Sequence, residues 1–66
     1  TVYGYTLLAT AQGMAGQSTR AAETVAAMRL AHPQFTLAMF RQHEPYRDAE
    51  VLDRITTVLS KAGIPE

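Results

Sequence analysis

A short break, Met14-Ala15-Gly16-Gln17-Ser18, separates two alanine- and leucine-rich stretches of helix length, and it constrains this chain more than any other feature. Residues 5–33 are organised around it. Neither stretch can bury its apolar face alone, so the break predicts an antiparallel hairpin in which each helix covers part of the other. Gly16 suits the left-handed position just past a helix end, where the missing Cβ removes the steric penalty. Ser18 is expected to cap the second helix through its hydroxyl. Apolar surface that the pair leaves open must be covered by residues 34–66.

The first helix is expected over residues 2–15, with Thr1 as its cap. Leu7, Leu8, Ala11, Met14 and Ala15, with Val2 and Tyr5 about a turn earlier, recur at helical spacing and read as the inward face. Thr6, Thr10, Gln12 and Gly13 read as the outward one. Gly4 and Gly13 each cost about 1 kcal/mol against alanine inside a helix, which points to close approach by another backbone. The second helix is expected over residues 19–31, with Ala21, Ala22, Val25, Ala26 and Met28 inward. Arg20, Glu23, Thr24 and Arg29 face water. Pro33 ends this helix and takes His32 out of the helical region.

Thr36 is the predicted cap of a short helix over residues 37–42. Leu37 and Phe40, with Phe35 before them, are bulky enough to plug the open end of the hairpin. Pro45 ends that helix, and Tyr46-Arg47 forms a connector. Asp48 caps a last helix over residues 49–62, where its charge also favours the positive end of the helix dipole. Val51, Leu52, Ile55, Val58, Leu59 and Ala62 form one apolar stripe, with Glu50 and Arg54 as an i,i+4 pair on the wet side. Gly63 and Pro65 supply the stop. No stretch alternates with period two for long. The expected fold class is all-α, with a hairpin over residues 1–33. A short helix and an amphipathic capping helix follow over residues 34–66 of the same domain.

At 66 residues the chain lies near the lower limit for a self-sufficient core, and it has no cysteine for a disulfide or thiolate metal site. A core of this size rarely supplies more than about 3–5 kcal/mol, so further support is expected from self-association or from flanking sequence. Thr1 in place of a methionine fits an excised piece, or a chain whose start has been processed. Six basic and six acidic side chains give zero net charge, and they are scattered singly. Nucleic-acid binding needs a basic stripe, which is missing. There is no apolar run long enough to cross a membrane and no secretory signal, so the cytoplasm is the expected compartment. Neutrality favours self-association.

Chemistry finds little support. His43-Glu44 begins a zinc-protease helix motif, but the second histidine it needs four residues after the first is replaced by Arg47, and Pro45 interrupts the helix. His32 reads as a helix-end residue interacting with the dipole. Ser18, Ser60 and the threonines have no His–Asp setting. No catalytic, cofactor-binding or metal-binding residue is expected. Met14, Met28 and Met39 read as core fillers rather than a peptide-binding groove. Tyr46-Arg47-Asp48 is the exposed polar cluster. Tyr46 packing over a corner with Arg47 paired locally is one reading, and a partner contact is the other.

Residues 5–33 resemble a tetratricopeptide repeat, a helix–turn–helix unit of about 34 residues. The resemblance lies in Tyr5 at the large aromatic position, Leu8-Ala9 at the leucine–small pair and Gly16 at the turn, then Ala21 and the closing Pro33. Gln12, Val25 and Met28 depart from the pattern. The Pro45-Tyr46-Arg47-Asp48 connector, Leu52, Leu59 and the Lys61-Ala62-Gly63-Ile64-Pro65-Glu66 ending are similar to the end of bacterial class III adenylate/guanylate cyclases that carry such repeats after the cyclase domain. Ala49 replaces a proline common in that family. No metal-binding aspartate or nucleotide-binding residue of the cyclase has a matching position. The resemblance therefore implies a non-catalytic scaffold module at the end of a repeat array. Its partners would be preceding repeats or a second copy of itself, with Tyr5, Leu8, Tyr46 and Arg47 as the interaction residues. The alternatives are a fragment of a helix-turn-helix DNA-binding regulator, with residues 19–31 as recognition helix, and a small ligand-binding bundle.

Overall fold

The computed structural model describes residues 2–43 and 48–66. They form α1 (Val2–Met14), α2 (Ser18–Ala31), α3 (Leu37–His43) and α4 (Ala49–Ala62), with no strand among the described residues. The fold is all-α, as the periodicity indicates.

Gly16 adopts φ 79°, the left-handed conformation expected of it. Around it the Gln17 N–H donates to the Gln12 carbonyl at 2.8 Å and the Gly16 N–H to the Gly13 carbonyl at 3.2 Å. This pair of bonds is a Schellman turn, which satisfies carbonyls that the end of α1 would otherwise leave bare. The turn passes directly into α2, and that displaces the expected cap. Ser18 is already helical, and Gln17 occupies the cap position without a side-chain bond. The Gln17 carbonyl accepts from the Ala21 N–H at 3.0 Å. The two helices run antiparallel: the Tyr5 ring meets the His32 ring edge-on at 6.3 Å, and Thr24 Oγ1 donates to Gln12 Oε1 at 2.6 Å. His32 lies outside the helical region at φ −135°, as the following proline requires.

α4 lies against both helices of the hairpin. A Cβ added at Gly13 would overlap Val58 Cγ1, so α4 reaches α1 where α1 has no side chain. The close approach is thus made by a side chain, not by a backbone. Farther along, Gly63 faces Val25, and Arg29 Nη1 donates to the Gly63 carbonyl at 3.5 Å. Both ends of α4 are capped. Asp48 Oδ1 accepts from the N–H groups of Glu50 at 2.9 Å and Val51 at 3.4 Å. Gly63, at φ 119°, closes a second Schellman turn with Ile64 N–H to Leu59 O at 3.1 Å. Ile64 and Leu59 are both buried in the same cluster, the hydrophobic contact that accompanies such a turn. Along the expected stripe Ile55 and Leu59 are buried, Leu52, Val58 and Ala62 half-buried, and Val51 exposed. Glu50 and Arg54 form no ion pair; among the described residues the ion pair is Arg41 with Glu66 at 3.1 Å.

α3 has seven residues, too few for a helix to persist alone. Its start is fixed by Thr36 Oγ1, which accepts from the Met39 N–H at 3.3 Å, and by the Pro65 carbonyl, which accepts from the Leu37 N–H at 2.9 Å. Phe35, Leu37 and Phe40 are buried with Ala9, Val25, Met28, Ile55, Leu59 and Ile64 in one core. The Tyr3 ring is edge-on to Phe35 at 5.8 Å and stacked on His43 at 3.7 Å, tying the start of α1 to both ends of α3. Of the three methionines, Met28 fills the core, whereas Met14 and Met39 are exposed, contrary to expectation.

The inward face of α1 also differs from expectation. Thr6 and Ala9 are buried and Val2 and Gly13 half-buried, while Leu7, Leu8, Ala11 and Met14 face outward. Small residues turn inward because α2 and α4 both close on this side of α1. Thr6 tolerates burial because its hydroxyl donates to the Tyr3 carbonyl at 2.9 Å. On α2, Ala22 and Ala26 likewise point outward, and Ala21, Val25 and Met28 inward.

Candidate interaction surface

The outer face of α1 combines Gly4, Leu7, Ala11 and Met14, with Leu8 on one flank. Leu7 is 73% exposed, Met14 52% and Leu8 51%, and these are among the large apolar side chains the fold leaves uncovered. No charged residue precedes Arg20 in the sequence, so every turn of α1 is neutral. A surface helix of a globular domain ordinarily carries charge on its outward side. α4 follows that rule: Glu50, Asp53, Arg54 and Lys61 are all exposed. α1 does not.

Tyr5 and Leu8, expected as interaction residues, lie on the α2 side of this face. Together with Gln12 they border a shallow groove whose other wall is Arg20, Glu23 and Ala27. Tyr5 is half-buried against His32, and Leu8 stands free at the rim. Tyr46 and Arg47 lie outside the described residues. Leu7, Ala11 and Met14 belong to the outer face as well, although their spacing with Leu8 suggested a core. Leu30, at 88% exposure, is a further outward apolar residue, on α2.

Compared with known families, curated proteins and solved structures, the chain matches none. Its functional reading therefore rests on its own surfaces.

Several polar side chains are committed to structure. Thr6, Thr10, Thr56 and Thr57 each donate their hydroxyl to a carbonyl of their own helix, and the Thr24 hydroxyl goes to Gln12. Among the described residues every buried side-chain polar atom has a partner, and no three His, Asp or Glu side chains are grouped to hold a metal ion. No helix among them is long and apolar enough to cross a membrane. On the exposed side of α2, Arg20 is followed one turn on by Glu23, with alanines between and beyond.

Proposed function

We propose that this chain is a non-catalytic helical interaction and scaffold module whose outer α1 face packs against a helix of a neighbouring hairpin. The observation that carries this reading is the neutral, apolar outer surface of α1, a helix that is uncharged all round and covered on one side alone. Such a helix belongs between two layers. α4 supports the same reading from the other side, since it covers both hairpin helices and turns a charged face to water. That is how the last unit of a stacked array is closed off. The hairpin's resemblance to a tetratricopeptide repeat and the cyclase-like ending agree with this position. They suggest a bacterial class III cyclase as parent and the cytoplasm as setting, with catalysis residing elsewhere.

The test is in-cell photo-crosslinking. A benzophenone amino acid in place of Leu7 is expected to give one discrete adduct, mapped by mass spectrometry to a helix of an identified chain. The same probe in place of Arg54, on the charged face of α4, is expected to give none. No adduct from Leu7, or equal labelling from both positions, would overturn the proposal.

A further inference from the structure

The geometry points to a second copy of this chain as the occupant of the α1 face, in an antiparallel two-fold pair of α1 helices; this rests on the interaction reading above and names its partner. Gly4, Leu7, Ala11 and Met14 follow the three-four-three spacing of a narrow helix–helix seam, and all four are exposed. Along that seam small and large residues alternate in an order that is self-complementary. With the two-fold axis midway between Leu7 and Ala11, Leu7 meets the partner's Ala11 and Met14 meets the partner's Gly4. Each bulky side chain therefore falls opposite a small one, at both ends and in both copies. A two-fold contact requires one patch to complement itself, and this ordering meets that requirement.

Charge agrees with size. In such a pair α1 brings no charge to oppose or to desolvate. Leu8 flanks the seam and extends its apolar area. The helix has 13 residues, so at about 1.5 Å per residue the seam is about 20 Å long. A single helix pair this short is a small contact beside the interfaces of about 1,200–2,000 Å² that mark stable specific complexes, which makes the pair a weak one.

Sedimentation equilibrium on the intact chain tests the pair. A monomer–dimer equilibrium with Kd between about 10 μM and 1 mM is expected. Ala11→Glu places carboxylates beside the axis at an exposed helical position and is expected to weaken the pair at least about tenfold, with the far-UV circular dichroism unchanged. Thr57→Glu, on the outside of α4, is expected to leave it intact. Because the chain has no cysteine, disulfide trapping gives an independent readout. An equal mixture of Leu7→Cys and Ala11→Cys chains is expected to form mainly the mixed disulfide rather than either symmetric one. A monomer throughout this concentration range, a dimer indifferent to Ala11→Glu, or a statistical mixture of disulfides would each overturn the inference. In the crosslinking experiment, an adduct of twice the chain mass supports the pair. An adduct with a different protein overturns it while leaving the interaction reading in place.

Discussion

Leu59→Ala is expected to leave the chain largely unfolded at room temperature without denaturant. Leu59 is fully buried, lies in the core between Ile55 and Ile64, and occupies the position in α4 over which the Gly63 turn folds Ile64 back. Truncating a leucine in such a place costs about 2–5 kcal/mol, from lost burial and from the cavity left behind. A core of this size rarely supplies more than about 3–5 kcal/mol in total, so the loss is comparable with the whole stability. The matched control is Leu30→Ala. Leu30 is 88% exposed, and its truncation is expected to change stability by less than about 0.5 kcal/mol. Urea titration followed by circular dichroism reads both. A Leu59→Ala transition midpoint close to the parent's would show that the core does not depend on this side chain.

Gly13→Ala is expected to destabilise by about 1–3 kcal/mol, the overpacking cost, although the same exchange in an open helix gains about 1 kcal/mol. The sign is reversed by Val58, whose Cγ1 occupies the place an added Cβ would take. Valine has one strongly preferred rotamer in a helix, so it cannot easily turn aside. Val58→Ala removes the obstruction. In that background Gly13→Ala is expected to become neutral or stabilising, giving a coupling of about 1–2 kcal/mol between the two positions. If Gly13→Ala stabilised the parent chain, the close approach of α4 to α1 would be wrong.

These two cases bear on what could be read from the sequence. α4 was legible from end to end: Asp48, the apolar stripe, the charges opposite it and Gly63 all fix the same phase. Its bounds, 49–62, agree with the structure. In α1 nothing fixes the phase, because neither side carries charge. Any of several faces satisfies helical spacing, and size alone turns the bulkier residues inward. The choice is made by tertiary crowding, since α2 and α4 approach one side so closely that Thr6, Ala9 and Gly13 fit there and leucine does not. The same ambiguity hid part of the candidate surface. Helical spacing puts Leu7, Leu8, Ala11 and Met14 alike on the inward face, with Leu8 alone of the four also expected at an interface. The absence of charge before Arg20 is the available signal of an uncharged outer face. Ser18 shows a subtler limit: serine favours the cap position, but the Schellman turn at Gly16 sets the junction at Gln17.

The tail has a consequence for how the molecule breathes. The Leu37 amide depends on the Pro65 carbonyl, Arg41 on Glu66, and Ile64 is buried against the residues that hold α3. A helix of seven residues cannot outlive those attachments. α3 and residues 63–66 therefore form one opening unit, smaller than the whole molecule. In deuterium exchange the Leu37 and Phe40 amides should share one rate, faster than that of the α2 interior, and deletion of Pro65 and Glu66 should accelerate both together. The persistence of α3 is thus set by a few residues far from it in sequence, Ile64, Pro65 and Glu66.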